Sequence, residues 1–128
     1  MRRIRAIEPW LVRGASAIAL ASVLCGCSHT VVVGSDRTLT LALTEYRVIP
    51  QSVQATSGLL TIIVLNEGRL THNLALSRNG RIVAETPPVA PGASADLAIS
   101  LAPGSYLMAS TLFSDQVLGE YGTLTVSS

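Results

Sequence analysis

Short runs of alternating apolar and polar residues occupy most of the chain from Thr38 onward. In "TLTLALT", Leu39, Leu41 and Leu43 fall on one side, and threonines and an alanine fall on the other. This alternation is typical of a β-strand with one buried face. Later runs repeat it, placing together Leu74 and Leu76, then Leu97, Ile99 and Leu101, and finally Leu124 and Val126. The pattern predicts strands whose leucine-rich faces meet in one core.

The segment "LLTIIVLN" (residues 59–66) differs because it is apolar on both sides. Such a run suits a central strand that is covered on both faces. Its alternate residues Leu60, Ile62 and Val64 form the row that we expect to point inward.

Turn residues separate these runs at regular intervals. Glycine follows Ser, Glu, Asn or Pro in five pairs: Ser57-Gly58, Glu67-Gly68, Asn79-Gly80, Pro91-Gly92 and Pro103-Gly104. Glycine supplies positive φ and proline presets a turn, and an Asn-Gly pair is the preferred tight turn of a β-hairpin. Short strands at such spacing predict an all-β fold, an antiparallel sandwich of roughly seven or eight strands.

The N-terminal region has a different character. "MRRIRAIEPWLVR" is basic, and the apolar run from Gly14 to Leu24 that follows it is too short for a membrane-spanning helix. The run ends in Leu24-Cys25-Gly26-Cys27, which resembles the lipobox of bacterial lipoproteins and implies cleavage before Cys27 and attachment of lipid to its thiol. A cleaved peptide without lipid is the alternative. We therefore expect a signal peptide (1–26), a lipidated cysteine with a tether (27–37) and one domain (38–128).

Composition narrows the chemistry available to that domain. Both cysteines of the chain lie at the expected cleavage site, so the predicted domain has neither a disulfide nor a thiolate ligand. The chain has no basic patch of the kind that binds phosphate backbones, which argues against nucleic acid as a partner.

Three stretches together resemble the cupredoxins, the blue-copper β-sandwich family. They are "EYRVIPQSVQATSG" (45–58), "NEGRLTHNLAL" (66–76) and "APGSYLMASTLFSDQVLGEYGTLTV" (102–126). The resemblance covers about residues 38–128 and implies a Greek-key β-sandwich. It also implies that His72 stands where the family has its first copper-binding histidine.

The remaining copper ligands of the family are replaced. Many relatives have Cys, four residues, His, four residues and Met in the last loop, whereas this chain has Ser110, Asp115 and Glu120 at the same spacing. A blue-copper centre requires a thiolate, and a serine hydroxyl cannot provide one. The resemblance thus implies the fold, while the substitutions argue against type 1 copper and its electron transfer.

Two interpretations of this altered site remain open. In the first, no metal binds, and His72 pairs with Asp115 or Ser110 to join two loops. In the second, His72, Asp115 and Glu120, with Ser110 or water, bind a divalent ion such as copper or zinc. Catalysis by Asp115 and Glu120 is a third, weaker hypothesis, because no second motif supports it.

The sequence thus predicts a cell-envelope lipoprotein, anchored by Cys27 to a bacterial membrane and facing the extracytoplasmic side. We expect its cupredoxin-like domain to be a binding or interaction module, with no enzymatic activity and an envelope protein as its partner. Metal handling through the non-blue site is the alternative.

Overall fold

The computed structural model describes residues 29–112 and 120–128, and within them the protein is built of β-strands alone. Ten strands follow in chain order: β1 (Thr30–Val32), β2 (Thr38–Thr44), β3 (Arg47–Ile49), β4 (Ser52–Thr56), β5 (Gly58–Asn66), β6 (Ala75–Arg78), β7 (Arg81–Glu85), β8 (Ser94–Leu101), β9 (Gly104–Ala109) and β10 (Tyr121–Ser127). No helix capable of crossing a membrane occurs in these two ranges. The predicted all-β class is confirmed.

The strands form two sheets packed as a sandwich. One sheet has six strands in the order β1-β4-β10-β9-β6-β7, and the other has four in the order β3-β2-β5-β8. Both sheets are mixed, because β4 runs parallel to β1 and β10, and β2 runs parallel to β5. The chain crosses from one sheet to the other after β3 and returns after β4, which brings β5 beside β2 in the same direction. This connectivity is consistent with a Greek key, although the sheets are not antiparallel throughout.

The leucine faces predicted from the alternation form the core. Leu41, Leu43, Leu74, Leu76 and Leu124 are fully buried between the sheets. The inward row of β5 is equally well covered. The inward face of β8 is less well buried: Leu101 is buried, whereas Leu97 and Ile99 on the same face are half-buried.

The prediction that β5 is covered on both faces is wrong. Leu59 is exposed, and Thr61, Ile63 and Leu65 on the outer face are half-buried. β5 is a central strand of its sheet, but with only two layers each sheet buries one face. The apolar residues on the outer face therefore do not indicate a third layer.

The sheets begin at Thr30, inside the segment expected to be a tether. β1 pairs in register with β4, from Thr30 opposite Ser52 to Val32 opposite Gln54. Only one described residue, His29, therefore precedes paired β-structure. The strand is short and exposed, which explains why its pattern is not distinctive in the sequence.

The hairpin predicted at Asn79-Gly80 is confirmed. Arg78 pairs with Arg81, and the two residues between them have φ values of 51° and 76°. Positive φ at both central positions defines the type I′ turn, whose twist matches that of the flanking strands.

Gly122 of β10 lies directly against the β3–β4 turn. A Cβ atom at this position would lie 2.6 Å from the backbone oxygen of Gln51 and 3.0 Å from Cε of Met108. The first contact is with backbone, which cannot move without displacing the turn. β10 can therefore pass beneath this turn only with glycine at position 122.

We expect Gly122→Ala to lower the free energy of unfolding by about 1–3 kcal/mol, the usual cost of overpacking a rigid site. The matched control is Gly34→Ala, because a Cβ there would meet only a side-chain oxygen of Asp36 at 3.4 Å. Urea unfolding followed by circular dichroism measures both. Equal stability of the two variants would contradict this account of the contact.

Candidate functional site

A buried histidine lies at one end of the sandwich, in the loop between β5 and β6. The backbone N–H of His72 donates to the carbonyl of Val89 at 3.1 Å, and the N–H of Val89 donates back to the carbonyl of His72 at 2.7 Å. This two-way bridge fixes the backbone of His72, and its side chain is fully buried.

Glu120, the residue directly before β10, approaches the ring. Its Oε2 atom lies 3.0 Å from Nδ1 of His72, and neither side chain has any exposed surface. Removing both groups from water costs free energy, and direct contact offsets part of that cost. The contact ties the β5–β6 loop to the last strand.

Glu45 faces the opposite side of the ring, just beyond the end of β2. Its Oε1 atom lies 3.6 Å from Nε2 of His72. The same oxygen accepts hydrogen bonds from the backbone N–H groups of Arg69 and Leu70, the second at 2.9 Å. These backbone donors, with Arg69 contributing most, lower the pKa of Glu45 from 4.5 to about 2 because they favour the ionised carboxylate.

Two residues of the β5–β6 segment allow this arrangement: Gly68 leaves space for it, and Asn66 holds the loop in place. A Cβ atom on Gly68 would lie 2.6 Å from Oε1 of Glu45 and 3.0 Å from Nε2 of His72. Asn66 holds the loop by donating to the carbonyls of Leu70 and Val89, both at 2.8 Å, and by accepting from the N–H of Gly68 at 2.9 Å. The loop thus passes over the glutamate and the ring at a distance that only glycine permits.

A second buried polar group links the histidine loop to the end of β9. Ser110 donates from Oγ to Oδ1 of Asn73 at 3.1 Å, and the N–H of Thr111 donates to the same oxygen at 2.9 Å. In return, Nδ2 of Asn73 donates to Oγ1 of Thr111 at 3.0 Å. Ser110 is fully buried, and through these bonds it connects two loops beside His72.

The structure brings three of the predicted site residues, His72, Ser110 and Glu120, to one end of the fold. Asp115 and the lipidation candidate Cys27 lie outside the described residues. Sequence reasoning missed Glu45 as a member of the site. A usable signal exists, because Glu45 continues the inward row of Leu39, Leu41 and Leu43, and an acidic residue in such a row requires a partner.

No protein-family model matches the chain, and no curated protein matches it. Solved structures do. Reduced auracyanin from Roseiflexus castenholzii superposes with a TM-score of 0.66 at 19% identity, covering 74% of this chain and all (100%) of that one. Auracyanin A, a "blue" copper protein from Chloroflexus aurantiacus, gives 0.62 at 18% identity over 75% of this chain and 99% of that one. The chain has a cupredoxin-like fold.

Reduced rusticyanin supports the same conclusion, with a TM-score of 0.62 at 15% identity over 77% of this chain and 84% of that protein. At such identities the similarity shows the cupredoxin-like fold alone. The chemistry of the site must therefore be argued from this chain's own residues.

The residues of this cupredoxin-like domain do not fit a type 1 copper centre. Such a centre needs a thiolate and two imidazoles, and here Ser110 provides a hydroxyl and Glu120 a carboxylate. The two nitrogens of His72 point in opposite directions, so Glu120 on one side and Glu45 on the other cannot join the ring on a single ion. Within residues 29–112 and 120–128, no three His, Cys, Asp or Glu side chains are grouped to hold a metal.

We expect Glu45 to make the domain sensitive to acid. Its pKa of about 2 in the folded protein lies below the ordinary 4.5, so its contribution is complete above about pH 5 and is lost as the pH falls toward 2. The midpoint temperature of thermal unfolding, measured between pH 6 and pH 2, should fall less steeply with decreasing pH for Glu45→Gln than for the unchanged protein. Glu67→Gln, an exposed neighbour in the loop, is the control and should follow the unchanged protein. Parallel curves for all three would contradict the role of Glu45.

Proposed function

We propose that this protein is a cell-envelope lipoprotein whose cupredoxin-like domain serves as a binding or interaction module without type 1 copper. In this proposal it is held to a bacterial membrane through Cys27, faces the extracytoplasmic side and catalyses no reaction. Its partner in the envelope is another protein, the membrane surface or both.

The contact between Nδ1 of His72 and Oε2 of Glu120, at 3.0 Å, is the observation that carries this proposal. A blue-copper ion joins the histidine loop to the last loop by binding side chains from both. In this chain, the imidazole and the carboxylate make that connection directly. This direct contact between the two segments supports a domain that needs no metal to hold its shape.

The lipoprotein assignment rests on the N-terminal sequence. A basic segment, a short apolar run and Leu24-Cys25-Gly26-Cys27 follow in the order that precedes a lipidated cysteine. A membrane anchor and a compact β-domain, with no cysteine in the domain, agree with a module that acts by contact and not by redox chemistry.

We expect Cys27→Ser to release the protein from the membrane fraction of the bacterial cell. The unchanged protein should carry an acyl mass on the peptide that begins at Cys27, detectable by mass spectrometry. Cys25→Ser is the matched control, because it removes the neighbouring thiol and should leave both the acyl mass and the membrane association unchanged. An unmodified Cys27 in a membrane-free protein would contradict the lipoprotein assignment.

Metal handling is the second candidate, and one observation favours it. Histidine ligands of metals commonly direct their second nitrogen at a carboxylate that fixes the ring, and Glu45 lies in that position beside Nε2. In this alternative, Nδ1 of His72 and the carboxylate of Glu120 bind the ion, together with Asp115 and Ser110. Imidazole and carboxylate donors suit copper(II) or zinc(II).

Calorimetric titration of the domain from Ser28 onward with Cu(II) and with Zn(II) separates the two candidates. The main proposal predicts no saturable binding at one ion per chain. Any weak heat should be the same for His72→Ala and for the control His29→Ala, which removes the chain's other histidine. Saturable one-to-one binding that is lost only in His72→Ala would overturn the metal-free proposal in favour of the alternative.

A further inference from the structure

A cleft of about 700 Å³ opens at the surface between the β3–β4 turn and the start of β10. We call its rim the cleft face and define it by Tyr46, Arg47, Ile49 and Tyr121. His29, the first described residue, also lines the cleft. None of these residues has a part in the hydrogen bonds that hold the His72 site.

The cleft face exposes large side chains that globular proteins usually cover. Tyr46 is 61% exposed, Ile49 46% and Tyr121 45%. Tyr121 is the first residue of β10 and directly follows the buried Glu120, so alternation along the strand points the tyrosine outward. Tyr46 is exposed for another reason: with Glu45 it forms the two-residue turn between β2 and β3. Each exposed tyrosine is thus the direct neighbour in sequence of a glutamate that contacts His72.

The start of the fold places this face next to the predicted anchor. Cys27 precedes His29 by two residues, and an extended chain advances at most about 3.6 Å per residue, so their backbones lie within about 7 Å of each other. Because β1 pairs with β4 from Thr30 onward, the domain has almost no slack between the lipid and its first strand. The short connection therefore holds the cleft close to the bilayer.

We propose that the cleft face rests in the headgroup region of the membrane that carries the lipid on Cys27. This inference depends on the proposed lipoprotein function. Tyrosine is favoured at this depth because its ring is apolar and its hydroxyl hydrogen-bonds at the water boundary. The exposed guanidinium of Arg47 completes the face with a donor suited to lipid phosphate. The lipid thus restrains the domain, and the cleft face sets its orientation.

Depth measurements on the mature, lipidated protein, which begins at Cys27, in vesicles of phosphatidylethanolamine and phosphatidylglycerol test this orientation. A polarity-sensitive fluorophore is attached at Gln51→Cys, an exposed position that lines the cleft, or at Leu59→Cys, an exposed position at the opposite end of β5. The introduced thiol is the only free one once Cys27 is lipidated. Quenchers carried by the lipids should reduce the emission at position 51 several-fold more than at position 59.

A second pair of variants tests the side chains themselves. Tyr46→Ser combined with Tyr121→Ser should reduce the quenching at position 51. The control replaces the similarly exposed pair on β7, Ile82→Ser with Val83→Ser, and should leave the quenching unchanged. Circular dichroism verifies that both double variants fold, and the comparison of positions 51 and 59 does not depend on either.

Three results would overturn the inference. Equal quenching at positions 51 and 59 would show that the cleft does not face the bilayer. Quenching at position 51 that is unchanged by the two tyrosine substitutions would show that the tether alone sets the position of the domain. A change at position 51 that occurs in native membranes but not in protein-free vesicles would identify a protein partner instead. Fluorophore found on Cys27 by mass spectrometry would mean that the thiol lacks lipid, which is a failure of the proposed function and not of the cleft face.

Discussion

A histidine ring buried between two glutamates organises one end of this sandwich. Glu45 follows β2, Glu120 precedes β10, and His72 lies in the loop between β5 and β6, so the cluster joins both sheets. Loss of either His72 or Glu120 would leave the other polar side chain buried without this contact, which is unfavourable in the interior of a protein. Gly68 lets the loop pass over this cluster, and Asn66 holds the loop in place by hydrogen bonds, so both residues help to keep His72 between the two glutamates.

The chain shares its fold with blue copper proteins, yet the described side chains at this end of the sandwich are not a type 1 copper ligand set. Ser110 and Asn73 fill buried space with hydrogen bonds, and Glu120 contacts the imidazole directly. Ser110 and Glu120 are both polar, and each contacts a residue of the β5–β6 loop, so these contacts help to hold the loops together. Fold similarity alone would have assigned a redox role that these side chains do not support.

Sequence patterns predicted the strands well where the alternation was strict, as in Leu39, Leu41 and Leu43, and at the Asn79-Gly80 turn, whose residues specify its backbone angles. They failed where distant parts of the chain decide the outcome. The outer face of β5 depends on how many layers the fold has, and the role of Glu45 depends on a ring that comes from another loop. The pairing of β1 depends on β4, which is distant in the sequence. A strand of three residues is too short for its own pattern to indicate this partner.

The position of β10 has a consequence for how the protein is made. β10 is the last strand of the chain, yet it lies inside the six-stranded sheet, between β4 and β9. Until residues 121–127 are available, β4 and β9 have no common neighbour and the carboxylate of Glu120 cannot reach the ring. Pairings between distant segments form late because the chain must first close a long loop. The six-stranded sheet can therefore be completed only after β10 has been synthesised, so strands made much earlier wait for a central neighbour.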